Sequence, residues 1–229
     1  MILPRTVVFD LDGTLVDTAR DLISALNFVL DREGLPPVPF RLARNMIGAG
    51  ARKLIERGLE LEGRVMSVGD VDRLTRDFID YYAAHIADAS RPFEGLEAAL
   101  DDLGAQGYRF AVCTNKLEWL SKRLLDELGL SPRFSAICGA DTFGVSKPDP
   151  VILQQTVARA GGHIGATIMV GDAGPDVGVA RRAGVPVIGV EFGYTDVPIV
   201  ELKPDRLIGH MRDLPAAVHS LGQIASSRS

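Results

Sequence analysis

The apolar positions of the chain gather into short, continuous runs separated by longer stretches with helical spacing. Such runs occur at TVVFD (6–10), YRFAVCT (108–114), FSAICG (134–139), TIMVGD (167–172) and PVIGV (186–190), with a weaker one at DRLIG (205–209). They are continuously apolar rather than alternating, which predicts strands covered by helices on both faces. Between them, Leu96, Leu100 and Leu103 form one apolar stripe, and Leu120, Leu124 and Leu128 form another. Gly104 and Gly107 suit the end of the first of these helices. Asp149 directly before Pro150 supplies a helix cap and a first helical position. Strand alternating with helix predicts an α/β fold with a doubly wound parallel sheet.

Residues 16–89 break that rhythm. Leu22, Leu26, Val29 and Leu30 share a helical face, Thr18 with Asp21 resembles a capping box, and LPPVPF turns the chain before DRLTRDFIDYYAAHIA. No strand is expected here. The crossover is far longer than an ordinary strand-to-helix connection. It therefore predicts a lid-like helical domain over 16–89, inserted into a core made of 1–15 and 90–229. The plainer alternative is that these helices cover one face of the sheet. The polar tail SLGQIASSRS is expected to fray.

Composition narrows the function. The chain has 229 residues, 46% of them hydrophobic, and a net charge of -5 from 25 basic and 30 acidic residues. It holds no basic tract of the kind that tracks a nucleic-acid backbone. No apolar run is long enough to span a membrane, and the start lacks a secretory signal pattern. Cys113 and Cys138 lie in strand-like runs, as reduced core thiols of a cytoplasmic protein would. The four histidines are scattered without metal-ligand spacing. The expected partner is a small molecule, and the expected state a monomer or homodimer.

Candidate chemistry collects at the ends of the strands, where ligands bind in open α/β sheets. The first run ends in Asp10 and continues to Asp12, Gly13 and Thr14; the second ends in Thr114 and Asn115. The third leads to Lys147 in SKPDP, and the fourth ends in GDAGPD with Asp172 and Asp176. Singly, each has an ordinary explanation: a turn, a helix cap, a surface charge, a first-turn acid. Together on one rim, these carboxylates repel unless a cation joins them, and oxygen ligands with a phosphate suit Mg2+. A lysine, a threonine hydroxyl and free backbone amides suit the phosphate oxygens. In IGAGARKLIERG (47–58), Gly48 and Gly50 permit close backbone approach, and Arg52 and Lys53 are candidates to meet an acidic group on the substrate. The plainer reading makes both of them solvated helix charges. This stretch is not a P-loop, because it lacks the Gly-Lys-Ser/Thr ending and a preceding strand.

With these motifs in order, the chain resembles the haloacid dehalogenase (HAD) superfamily of phosphohydrolases. Asp10-Leu11-Asp12-Gly13-Thr14, Thr114, Lys147 and Gly171-Asp172 with Asp176 match its four motifs. Ala173 stands where the family often has Ser or Thr. FDLDGTLVDT, AVCTNK, SKPDP, VGDAGPD and the later FGY are similar to strings in the members that dephosphorylate 2-phosphoglycolate. The resemblance implies a Rossmann-like HAD core with a helical C1 cap, and a Mg2+-dependent phosphomonoesterase working through an aspartyl-phosphate. It implies Asp10 as nucleophile, Asp12 as proton donor and acceptor, and Lys147 as the neutralising cation. Thr14, Thr114 and Asn115 would bind the phosphate. Mg2+ would sit on Asp10, the Asp12 carbonyl and Asp172, with Asp176 as a further or supporting ligand. Alternatives are a phosphatase or mutase for a sugar phosphate, and a phospho-acceptor signalling domain. The second acid of Asp-x-Asp disfavours a dehalogenase.

Overall fold

The computed structural model describes residues 5–226. In chain order it forms β1 (Thr6–Phe9), β2 (Val16–Asp17), α1 (Ala19–Arg32), α2 (Phe40–Arg44), α3 (Ala51–Leu61) and α4 (Val68–Ala84). Next come β3 (Arg91–Pro92), α5 (Leu96–Ala105), β4 (Arg109–Cys113), α6 (Glu118–Glu127), β5 (Ala136–Cys138) and α7 (Pro150–Arg159). The chain then forms β6 (Thr167–Gly171), α8 (Gly174–Ala183), β7 (Val187–Val190), β8 (Arg206–Ile208) and α9 (Leu214–Ser226).

All six apolar runs become strands of one six-stranded sheet, ordered β5-β4-β1-β6-β7-β8. Each neighbouring pair in it is parallel. Successive strand residues point to opposite faces, and the apolar contacts divide accordingly. Val7, Phe9, Val112 and Val170 pack on one side with residues of α1, α5, α6 and α9. Val8, Ala111 and Met169 pack on the other with α7 and α8. Both faces are therefore dry, which explains why the runs do not alternate. The register pairs Phe9 with Val112 and with Val170. The carboxyl ends of β1, β4 and β6 are thus level, and the residues just beyond them emerge at one rim.

Between β2 and β3 the chain is helical. β2 and β3 pair antiparallel, Val16 with Pro92 and Asp17 with Arg91, and so bracket α1 to α4. This corrects the expectation that residues 16–89 hold no strand; two residues are too few to leave a periodic signal. Leu26, Leu54, Leu74 and Phe78 from these helices join the same apolar cluster as Val7 and Phe9.

Local signals fared unevenly. Asp149 caps α7 by accepting from the Val151 amide at 2.9 Å. The capping box at Thr18 does not form. Thr18 Oγ1 instead donates to Asp12 Oδ1 at 2.8 Å, and the Asp21 carboxylate accepts from the Ala89 and Ser90 amides and the Ser90 hydroxyl. The tail remains helical to Ser226; its last residues, 227–229, lie outside the described chain. Among the described residues no helix is long and apolar enough to cross a membrane.

Candidate active site

The end of β1 builds the centre. The Asp10 amide donates to the Val170 carbonyl at 2.9 Å, fixing Asp10 where the strand stops. Leu11 is fully buried, and the Leu11 carbonyl accepts from the Leu15 amide at 3.0 Å as the chain turns. The two acids that flank it therefore enter different surroundings. Gly13 makes the turn possible: its φ is +83°, and a side chain there would collide with the Asp172 carboxylate.

Asp10 faces Lys147, Asp172 and Asp176. Lys147 Nζ lies 2.8 Å from Asp10 Oδ1 and 2.6 Å from Asp176 Oδ1, and the lysine side chain is buried. Asp176 Oδ2 accepts from the Asp172 and Ala173 amides at 3.2 and 3.1 Å, which caps α8. Asp172 is held by the Thr14 hydroxyl at 3.0 Å and the Tyr194 amide at 2.6 Å. Oxygens of Asp10, Asp172 and Asp176 all lie within 4.8 Å of one another.

This crowding sets the electrostatics. Burial raises the Asp10 carboxyl to about 6; Lys147 pulls it down, and Asp176 pushes it back up. Burial, then the charges of Asp176 and Asp10, holds Asp172 well above the ordinary carboxylate range. Burial works against the Lys147 ammonium, but the acids beside it hold its pKa above the usual lysine value. Three carboxylates and one ammonium (-3 + 1) leave a formal charge of -2. Among the described residues, Asp10 Oδ1 is buried and accepts no hydrogen bond in good geometry, although the Lys147 ammonium lies 2.8 Å away. An all-oxygen donor set with two uncompensated charges and an under-used oxygen fits a hard divalent cation.

Asp12 turns the other way. Lys116 Nζ reaches its two oxygens at 2.8 and 2.9 Å, and Thr18 donates to one of them. The Asp12 carboxylate is thus engaged outside the cluster formed by Asp10, Asp172 and Asp176. The Lys116 ammonium also lies 4.5 Å from the centre of the Tyr82 ring. Lys116 and Tyr82 were not singled out from the sequence. Lys116 follows Thr114 and Asn115 at the same strand end, a position that offered a signal; Tyr82 reads as an ordinary helix-packing residue.

A cavity of about 240 Å³ opens over this floor. Asp10, Asp12, Thr114, Asn115 and Lys116 line it from the sheet side, and Ile47, Gly48, Gly50, Phe78 and Tyr82 from the helical side. Asn115 clamps two segments: its Oδ1 accepts from the Lys147 amide at 2.9 Å, and its Nδ2 reaches the Gly48 carbonyl at 3.4 Å. Gly50 lies against the Asn115 carbonyl, with 3.3 Å left for a Cβ. Thr114 Oγ1 accepts from the Lys116 amide at 3.2 Å.

The remaining expected residues are placed less centrally. Thr14 is wholly buried and spends its proton on Asp172. Arg52 reaches the cavity wall, but its guanidinium is bound to Glu56 at 3.0 Å and to Asp72. Lys53 is exposed, with its ammonium 2.7 Å from Glu56.

The fold and this strand-end constellation define a hydrolase class. The sequence pattern of the haloacid dehalogenase-like hydrolases matches residues 7–190, and the chain belongs to that family. It is similar to a phosphoglycolate phosphatase of Caulobacter vibrioides, 47% identical over 94% of this chain and 91% of the relative. It is also similar to one of Agrobacterium fabrum, 46% identical over 92% of this chain and 91% of that one. A solved structure described as a predicted phosphoglycolate phosphatase from Haemophilus somnus superposes with a TM-score of 0.85 at 28% identity, covering 93% of this chain and 97% of that one.

Proposed function

We propose that this chain is a Mg2+-dependent phosphomonoesterase that cleaves 2-phosphoglycolate to glycolate and phosphate through an aspartyl-phosphate on Asp10. The observation that carries the reading is the buried Asp10 carboxylate on the cavity floor, with Lys147 beside it at 2.8 Å. The relatives at 47% and 46% identity support the choice of substrate.

In this reading an Asp10 oxygen attacks phosphorus, and the bonding pair departs with the ester oxygen. Asp12, on the other side of the turn, gives a proton to the leaving alkoxide and later takes one from the attacking water. Lys147 offsets the charge on Asp10 and on the transferred group. The Thr114 hydroxyl proton and the Asn115 main-chain N–H hold phosphate oxygens. Thr14 serves by orienting Asp172. Asp10, Asp172 and the Asp12 carbonyl would hold Mg2+, with Asp176 setting their arrangement; when bound, the ion would supply further neutralisation of phosphoryl charge. Residues 16–89 act as a cap over a core of 1–15 and 90–229, excluding water from the reacting groups. The free, buried Cys113 and Cys138 support a cytoplasmic setting.

Phosphate release from a set of small phosphomonoesters with Mg2+ tests the reading. The expected result is highest kcat/KM on 2-phosphoglycolate and loss of release with EDTA. Preference for a hexose phosphate, or no release at all, would contradict it.

A further inference from the structure

Resting on that reading, we infer that Lys116 and Tyr82 are the specificity-determining pair, which receives a carboxylate on the substrate's leaving group. The substrate class is then a short phosphomonoester whose carboxylate lies one carbon from the ester carbon. An anion buried in a largely apolar cavity needs donors that are not already spent. Most candidates here are spent. Arg52 is held by Glu56 and Asp72. The Thr75 hydroxyl donates to the Val71 carbonyl at 2.7 Å. The Asn115 amide faces the Gly48 and Lys147 carbonyls.

Two donors remain. The Tyr82 side chain is fully buried, and its hydroxyl has no partner in hydrogen-bond geometry among the described residues. Lys116 directs two of its three ammonium protons at the Asp12 oxygens, at 2.8 and 2.9 Å, which leaves one for a further acceptor. The ammonium sits over the Tyr82 ring, and both residues line the cavity beside Asp12. A carboxylate one carbon beyond the ester carbon therefore falls next to these donors while the ester oxygen faces Asp12. The pair also explains how the site discriminates without Lys53, which lies exposed on Glu56. A site built to hydrogen-bond a group rejects the analogue that lacks it, because its own buried donors are left unpaired.

The test compares 2-phosphoglycolate with ethyl phosphate, in which a methyl group replaces the carboxylate. Wild type should prefer 2-phosphoglycolate by about 100-fold in kcat/KM. Tyr82→Phe should shrink that ratio by about 10-fold, mainly through KM, with an unchanged thermal midpoint. Lys116→Met should shrink it further. A wild-type ratio near one, or a ratio unchanged in both variants, overturns the inference while leaving a phosphatase. Phosphate release from neither ester overturns the proposed function, and this inference with it.

Discussion

The Lys147 ammonium stands 2.8 Å from the Asp10 carboxylate, with both groups buried. The pair is not self-contained, because the same ammonium holds Asp176 at 2.6 Å. Lys147 is therefore the charge that lets three acids share a buried pocket. Lys147→Met keeps the volume and removes the cation. It should cost about 3–5 kcal/mol of stability, the usual penalty for leaving buried charge uncompensated. Thermal unfolding should fall by roughly 10 °C, and kcat by about 100-fold or more. A variant with wild-type midpoint and rate would refute this role.

The acidic cluster gives stability a pH dependence with a definite sign. Without a cation, folding raises Asp10 to about 6 and Asp172 in the same direction, chiefly through burial. Between the unfolded value near about 4 and the folded one, the native chain binds more protons than the unfolded chain. Their contribution to stability is thus fully present below the unfolded pKa and is lost as pH rises through about 6. The EDTA-treated protein should therefore lose thermal stability between about pH 4 and about pH 7. Mg2+ bound at this cluster would favour the charged carboxylates and oppose that loss. At about a hundred times its Kd it should contribute about 2.7 kcal/mol, roughly 5–10 °C in midpoint, with a larger effect at neutral than at acid pH. A Mg2+ shift equal at both pH values would contradict the assignment.

Arg52 and Lys53 are charged, close in sequence to the cavity and already engaged elsewhere. Their partners are Glu56 and Asp72, and the pairs are solvent-screened. Exposed pairs of this kind contribute about 1 kcal/mol or less. Lys53→Ala and Arg52→Ala should each leave KM for 2-phosphoglycolate within about threefold of wild type. A tenfold rise in KM for either would assign it to the substrate after all.

Much of the site was legible because of one property of parallel sheets. Once the apolar runs were read as parallel strands, Asp10, Thr114 and Asp172 had to share a rim; the register that levels Phe9, Val112 and Val170 confirms the geometry. Short-range cues worked where one residue had one partner, as at Asp149. They failed at Thr18 and Asp21, whose side chains found tertiary partners in Asp12, Ala89 and Ser90. The pairing of Lys116 with Tyr82 was not legible, although Lys116 itself follows Thr114 and Asn115 at a strand end already marked as a candidate rim. It joins residues 34 positions apart through a cation over a ring, and neither side of that contact leaves a periodic trace.

Trapping the covalent phosphoryl group tests the central claim most directly. Enzyme mixed with 2-phosphoglycolate and Mg2+ would be quenched in acid and reduced with borohydride, which converts an acyl phosphate to the alcohol. Peptide mass mapping should then find homoserine at position 10, dependent on substrate. An unmodified Asp10 with the label on another residue, or with none despite measured turnover, would contradict the account.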